Sequence, residues 1–249
     1  IFILFMPGTL FSANYYVAPN GTASWSECTN INTPCNASLS TKNTQPGDTV
    51  YFKDGTYNTD GGLQYHGGGN ESAQVILKAL NRHEATIKGS GADTGQVINL
   101  HNGYFTVDGL YFDNEDGLDK YPPHLVVSEE GHITVKNCIW EGHTFDFNNK
   151  VPAGDGNPGA LYVTIPGGDG WREDVTIKNN YMFNYLNYDS ENNSYPKQKA
   201  SFVTFYRTIN ATVEHNTVYN STQGVKFKMD VVNSTIRKNF FKNLKNFGA

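Results

Sequence analysis

The sequence predicts an all-β protein, a right-handed single-stranded parallel β-helix of about six to eight coils. Three observations lead to this prediction. A segment of two short β-like runs recurs along the chain, equivalent positions share one chemistry, and Asn recurs at the bend between the runs. Repeats of this kind indicate a solenoid, because each unit buries its apolar face only against its neighbours.

The repeat is clearest when each segment is aligned on one threonine. The aligned residues are Thr86, Thr106, Thr134, Thr176, Thr212 and Thr235. Subtraction of successive positions gives steps of 20, 28, 42, 36 and 23 residues. A short basic step, with longer steps padded by Gly, Asn and Pro, is typical of a coil that carries loops of variable length.

Two apolar columns accompany the threonines. One residue after the threonine, every side chain is β-branched: Ile87, Val107, Val135, Ile177, Val213 and Ile236. Six residues after it, from the second segment on, the residues are Phe112, Trp140, Met182, Val218 and Phe241. An outward threonine beside inward apolar residues is the period-two pattern of a strand. The second column therefore predicts a second strand after a corner.

Four residues after the threonine, the corner positions hold Leu110, Cys138, Asn180, Asn216 and Asn239. Asn tolerates the αL conformation and its amide bonds nearby backbone groups. Stacked Asn side chains can also bond one another from coil to coil. The alternative fold, a β-sandwich or barrel, requires tight hairpin signals that the repeat region lacks.

Composition restricts the class of protein. The 249 residues suit one large domain. A net charge of −5 argues against a general nucleic-acid binder, which would carry a basic footprint. Aromatic residues reach 13% while charged residues are only 17%, which favours β-coils with a surface suited to sugars. We expect a monomer.

The chain ends predict processing and incompleteness. Residues 1–13, apolar and ending in Ser12 and Ala13, are interpreted as the remnant of a secretory signal peptide. The alternative is a buried N-terminal strand. Residues 14–249 are predicted to form the β-helix domain with no membrane span, and its C-terminal end is expected to be incomplete because no polar cap follows the last coil.

Three cysteines are present. Cys28 and Cys35 lie seven residues apart in a polar loop, and export would make them a disulfide. Two free thiols would instead fit a cytosolic protein. Cys138 lies in an inward column and is interpreted as a core thiol.

Several segments carry a family resemblance: YYVAPNGT, QPGDTVYFKDGTYN, VILKAL, ATIKGSG and YFTVDGLYFDN. Together they resemble the start of secreted right-handed parallel β-helix proteins, the superfamily of the pectate, alginate and chondroitin lyases. The resemblance covers the chain from Tyr15 to Leu244 and implies an extracellular protein that acts on polysaccharide. It assigns no catalytic residue, because the Asp and Gly-His-Gly motifs of polygalacturonases, the Trp-x-Asp-His pattern of pectate lyases and the Asn-x-Lys-Ser arrangement of alginate lyases have no clear match.

A candidate cleft comes from the strand that precedes each threonine. If Val163, Val203 and Phe205 point inward, alternation places their neighbours outward. Stacked coils lie about 4.8 Å apart, so these neighbours would share one exposed patch with Arg207 at its edge. The outward residues are Tyr162, Thr164, Thr204, Tyr206, Lys226 and Lys228.

The patch contains the groups that β-elimination of a uronate polymer needs. A cation neutralises the C6 carboxylate, a base removes the C5 proton and a donor assists the leaving oxygen. We assign Lys226 as base, Arg207 or Lys228 as carboxylate clamp, and Tyr206 as proton donor or stacking platform. Tyr162, Thr164 and Thr204 are predicted to contact substrate. The alternative is that both lysines only protect an exposed strand from edge pairing.

Loops supply the remaining predicted site residues. Trp171 and Tyr188 lie in insertions rich in Asp, Asn and aromatics, where they could stack on sugar rings; ordinary surface loops are the alternative. Oxygen ligands for Ca²⁺ are dense between positions 113 and 119, although an acidic turn would look the same. The candidate ligands are Asp113, Glu115, Asp116 and Asp119.

Three functions compete. The first is an exported or cell-surface lyase that cleaves an acidic glycan, and the second is a non-catalytic carbohydrate-binding or adhesive β-helix. The third, an ice-binding face of outward threonines, ranks last. Thr favours any strand, and interleaved charges such as Asp108 and Lys136 interrupt such a face.

Overall fold

The computed structural model describes residues 12–90, 97–113, 125–127, 130–142, 144–146, 159–163, 170–188 and 201–245. Three parallel sheets, which we call A, B and C, run along one axis, and the chain passes from C to A to B in each full coil. The predicted parallel β-helix is confirmed.

Strands are numbered along the chain. Sheet A consists of β1 (Asn14–Val17), β2 (Thr49–Phe52), β5 (Val75–Ala79), β8 (Phe105–Asp108), β11 (Ile133–Lys136), β16 (Thr176–Lys178), β20 (Thr212–Glu214) and β23 (Thr235–Arg237). Sheet B consists of β3 (Gly55–Asp60), β6 (Ala85–Ser90), β9 (Tyr111–Asp113), β12 (Ile139–Glu141), β17 (Tyr181–Phe183), β21 (Thr217–Ser221) and β24 (Phe240–Leu244).

Sheet C consists of β4 (Leu63–Tyr65), β7 (Ile98–Leu100), β10 (Leu125–Val127), β14 (Gly159–Val163), β19 (Ser201–Ile209), β22 (Gln223–Val232) and the short β15 (Arg172–Glu173). A further pair joins β13 (Thr144–Asp146) to β18 (Leu186–Tyr188). Helix α1 (Ala37–Asn43) lies near the N-terminal end.

The strand register confirms the two predicted columns. Thr106, Thr134, Thr176, Thr212 and Thr235 pair in sequence across sheet A. The residues that follow these threonines are fully buried from Val107 to Val213, so they form the core. Ile236 and Phe241 are exposed, because β23 and β24 are the last strands of their sheets. Eight strands in sheet A agree with the upper end of the predicted coil number.

The alignment of Thr86 is wrong. Its strand, β6, belongs to sheet B, where Ile87 pairs with Phe112. Ile76 takes the corresponding position in sheet A and pairs with Thr106. The error arose because strands of sheets A and B share the same alternation of a polar residue with an inward apolar one.

The corner between sheets A and B uses two adjacent positions rather than one. The αL conformation lies three residues after the threonine, at Asn137, Asn179, His215 and Lys238, with φ from 53° to 57°. The next position holds the asparagines as predicted; Asn180 and Asn216 are buried and Asn239 is partly buried. Asn180 Nδ2 donates to Asn216 Oδ1 at 3.0 Å, and Asn216 Nδ2 donates to Asn239 Oδ1 at 2.9 Å. These side chains form a continuous amide ladder from coil to coil.

The N-terminal end is closed by α1 and a disulfide. The side chain of Asn36 caps the helix by accepting from the backbone of Ser38 at 2.9 Å. Ser40 Oγ lies 2.7 Å from the hydroxyl of Tyr65, which ties the helix to the first strand of sheet C. Cys28 and Cys35 form the predicted disulfide, with Cα atoms 5.4 Å apart.

Reduction of the disulfide is expected to lower the free energy of unfolding by about 2.5 kcal/mol, because the loop that it closes gains conformational entropy in the unfolded chain. Urea unfolding followed by circular dichroism, with and without reductant, measures the change. The double variant Cys28→Ser, Cys35→Ser should match the reduced protein and no longer respond to reductant. Equal stability in both states would contradict a stabilising role.

Among the described residues, no helix is long and apolar enough to cross a membrane. Residues 1–11 of the predicted signal remnant lie outside the described part of the chain. Ser12 Oγ donates to Gly47 O at 2.7 Å and the Ala13 amide donates to Asp48 Oδ1 at 3.2 Å. The two residues before the predicted boundary therefore contact the β-helix.

Candidate active site

The outer face of sheet C brings most of the predicted cleft residues together. Parallel pairing aligns Tyr162 with Thr204 and Thr204 with Lys226. Val163, Val203 and Phe205 are fully buried on the other side, as the alternation predicts. The register therefore supports the predicted orientation of the strands.

Tyr162 and Thr204 nevertheless do not form an exposed surface. Their side chains are only 8% and 1% exposed. Thr204 Oγ1 lies 2.6 Å from Ser201 Oγ, and burial raises the pKa of the Tyr162 hydroxyl. The predicted exposure of these two side chains is wrong, because a side chain can point away from the core and still be covered. Their contact with substrate stays a prediction.

The exposed part of this face lies at its C-terminal end, where a β-bulge interrupts the pairing. Phe205 pairs with Phe227, but Tyr206 pairs with Met229, so Lys228 is an extra residue in β22. Bulges commonly redirect a side chain. Here the Lys228 ammonium lies 5.2 Å from the centre of the Tyr206 ring, a cation–π distance.

Lys226 combines partial burial with a neighbouring cation. Desolvation and, second, the positive charge of Lys228 lower the pKa of the Lys226 ammonium. Both effects disfavour the charged form. A lysine with a lowered pKa is neutral in a larger fraction of molecules at a given pH and can therefore accept a proton.

Arg207 lies at the edge of the cluster, as predicted, but it has an acidic neighbour. Its Nε is 4.0 Å from Asp230 Oδ2. Both residues adopt φ of 44° and precede their threonines by the same five positions. The sequence analysis missed Asp230, although its place in the repeat beside Arg207 was a readable signal.

Arg172 is a second residue that the sequence analysis missed. Its side chain is fully buried and its Nη1 donates to Gly170 O at 3.0 Å. Arg172 pairs with Thr208, which is next to Arg207 in β19. A buried guanidinium requires hydrogen-bond partners. Arg172 therefore belongs to the interior of this end of sheet C, and its strand pairs next to the predicted clamp Arg207.

The other predicted residues lie apart from this cluster or outside the described residues. Trp171 is exposed, next to β15. Tyr188 lies in β18, and its side chain is outside the described set, as is Thr164. Asp113, the first predicted Ca²⁺ ligand, forms an ion pair with Lys88 at 3.0 Å.

The predicted Ca²⁺ site stays a prediction, because most of its ligands lie where the structure is not described. Glu115, Asp116 and Asp119 lie outside the described part of the chain. Within that part, no group of three or more His, Cys, Asp or Glu side chains is arranged to hold a metal ion. The ion pair of Asp113 with Lys88 would compete with a cation at this carboxylate.

The fold and the cationic cluster define a parallel β-helix protein with a Lys/Tyr/Arg site at one end of sheet C. The sequence profile of the Chondroitinase B family matches residues 35–150. Pectate lyase L from Dickeya dadantii (strain 3937) is 27% identical over 175 residues, which are 68% of this chain and 39% of that protein. The chain thus spans about two fifths of this relative's length.

A solved structure shares the fold. The GH136 lacto-N-biosidase from Eubacterium ramulus aligns with a TM-score of 0.58 and 13% identity, covering 92% of this chain and 56% of that chain. Pectate lyase Pel9A aligns with a TM-score of 0.41 and 16% identity, covering 93% of this chain and 80% of that chain. The Chondroitinase B profile and the pectate lyase relative confirm the predicted resemblance to parallel β-helix polysaccharide lyases.

Proposed function

We propose that the protein is an exported lyase that cleaves an acidic, uronate-containing glycan by β-elimination. One observation carries the proposal: Lys226 lies on the outer face of sheet C, partly buried and beside Lys228, so that its pKa is lowered. Similarity to pectate lyase L supports the reaction class. The Cys28–Cys35 disulfide is typical of exported proteins.

The step begins with neutral Lys226, whose Nζ accepts the proton from C5 of the uronate. The electron pair of the C5–H bond forms the double bond between C4 and C5, and the C4–O glycosidic bond breaks. The leaving oxygen receives a proton from the Tyr206 hydroxyl. Solvent then accepts the proton held by Lys226 and returns one to Tyr206, so both side chains regain their starting states. The products are a glycan with a new end hydroxyl and a second glycan that ends in an unsaturated uronate.

Neighbouring cations make the C5 proton removable. A positive charge at the C6 carboxylate stabilises the negative charge that develops during proton removal. Lys228 and Arg207 are the candidates, and the carboxylate of Asp230 lies 4.0 Å from Arg207 Nε. Lys228 therefore has two roles, since it also lowers the pKa of the base.

The direct test is incubation of the protein with pectate, alginate and chondroitin, with and without Ca²⁺, while the ultraviolet absorbance of the unsaturated product is followed. We expect absorbance to rise on at least one acidic glycan. Binding without any product would refute the lyase and support the second function, a non-catalytic carbohydrate-binding module. Dependence on Ca²⁺ would support the cation site predicted around Asp113.

The variant Lys228→Gln is expected to move the ascending limb of the kcat/KM profile to higher pH. Loss of the Lys228 charge removes one cause of the lowered pKa, so Lys226 loses its proton only at a more alkaline pH. Activity near neutral pH should fall and partly recover at alkaline pH. The matched control is Lys178→Gln on sheet A, which should keep the wild-type profile; an unshifted Lys228→Gln profile would contradict the coupling.

A further inference from the structure

The outer face of sheet B carries two columns of side chains that the proposed reaction does not use. The middle residues of these strands point inward, so the residues on either side of them point outward. The inward residues are Phe112, Trp140, Met182 and Val218. The first outward column is Tyr111, Ile139, Tyr181, Thr217 and Phe240. The second is Asp113, Glu141, Phe183, Tyr219 and Lys242.

Both carboxylates at the N-terminal end of this face are already paired. The Tyr111 hydroxyl donates to Glu141 through a short hydrogen bond, and Asp113 forms its ion pair with Lys88. Strands β17, β21 and β24 contain no acidic residue. Among the described residues of these three strands, the charge on the outer surface is therefore the ammonium of Lys242.

The same three strands expose aromatic rings. Tyr181 is 38% exposed, Tyr219 39% and Phe240 58%. Phe183 stacks on Tyr181 with ring centres 5.3 Å apart, and the Lys242 ammonium lies 5.9 Å from the centre of the Tyr219 ring. Contiguous apolar surface of this kind marks an interaction site on soluble proteins.

A row of amides borders the rings. Asn184, Asn220 and Asn243 directly follow the second outward column and adopt the αL conformation at the next corner. Asn220 Nδ2 donates to Asn184 Oδ1 at 2.8 Å and Asn243 Nδ2 donates to Asn220 Oδ1 at 2.9 Å. These hydrogen bonds hold the three side-chain amides in one line along the edge of the aromatic surface.

We propose that Tyr181, Tyr219, Phe240 and Lys242, bordered by the amide row, form a second glycan-binding surface that holds an acidic polysaccharide away from the cleavage site. Rings with a polar tip suit a ligand that offers both C–H faces and hydroxyls. The lone cation complements a uronate carboxylate. An apolar protein partner would bury Lys242 and the amides without compensation, which is unfavourable.

The ligand class rests on the proposed function, but the surface is separate from the proposed catalytic residues, since those residues belong to sheet C. A polymer bound at both places is held by two contacts on one body. Such bivalent attachment raises the effective concentration of the chain at the second contact. The surface should therefore affect long polymers and leave short oligomers unaffected.

The experiment measures binding of pectate, alginate and chondroitin polymers by isothermal titration calorimetry in the Lys226→Ala background, which prevents cleavage during the measurement. The double variant Tyr181→Ala, Tyr219→Ala should bind its preferred polymer about tenfold more weakly, from the loss of two ring contacts. The variant Tyr181→Phe, Tyr219→Phe should retain most of the affinity. Tyr51→Ala on the outer face of sheet A is the matched control and should bind like its parent.

The salt dependence of binding and the rate of glycan cleavage test the same surface independently. Lys242→Gln should reduce the salt dependence of polymer binding. With the catalytic lysine restored, the alanine double variant should cleave short oligomers at the wild-type rate and polymers more slowly. Polymer that binds without any cleavage in the wild type would refute the proposed reaction and leave this surface supported.

Two results would overturn the inference. The first is unchanged polymer affinity in the alanine double variant with a native circular dichroism spectrum. The second is concentration-dependent self-association of the wild type in sedimentation that the same variant abolishes, because the surface would then serve a second copy of this chain.

Discussion

Replacement of Lys226 by alanine is expected to lower kcat for elimination about 10³-fold, the contribution typical of a positioned general base. The site loses its proposed proton acceptor, while the neighbouring Lys228 and Tyr206 remain on sheet C. The measurement is the initial rate of unsaturated product formation on the preferred glycan. Binding of short oligomers should change little, because the lost interaction forms mainly in the transition state.

Two further variants distinguish loss of the catalytic base from loss of folding and from loss of a positive charge. Lys178→Ala removes a lysine from an outward strand position of sheet A and should keep full activity. Lys226→Arg keeps the positive charge but provides a much poorer base, because the guanidinium stays protonated; it should be nearly as inactive as the alanine variant. Full activity of Lys226→Ala in a folded protein would remove the proposed mechanism.

Replacement of Asn216 by alanine is expected to lower the free energy of unfolding by about 3 kcal/mol, because several buried polar groups lose their partners together. Asn216 Oδ1 accepts from the backbone amide and the side chain of Asn180, at 2.9 Å and 3.0 Å. Its Nδ2 donates to Ile177 O at 2.9 Å. At this chain length the loss corresponds to about 8 °C in Tm.

Thermal unfolding followed by circular dichroism checks this value. Asn58→Ala, at an exposed position of β3, is the matched control and should change Tm little. Asn239→Ala should cost less than Asn216→Ala, because Asn239 is only partly buried and ends the described ladder. Equal effects at Asn58 and Asn216 would show that the ladder does not stabilise the coils.

The candidate site was predictable only in part. Alternation in the strand before each threonine correctly placed Lys226 in register with Thr204 and Tyr162. It could not show that Tyr162 and Thr204 are covered, because burial of an outward side chain depends on segments distant in the chain. Nor could it show the bulge at Lys228, since an extra residue in one strand is visible only against its partner.

The sequence by itself determined the solenoid, its inward columns and its asparagine ladder, because a repeated chemistry at fixed offsets has few ways to bury its apolar residues. Only the tertiary structure decided that Thr86 belongs to sheet B, that the αL residue precedes the ladder asparagine, and which outward residues reach solvent. The physical reason is the same in each case. Strand patterns fix which side of a sheet a residue faces, whereas the choice of sheet, the corner geometry and the exposure depend on contacts between coils.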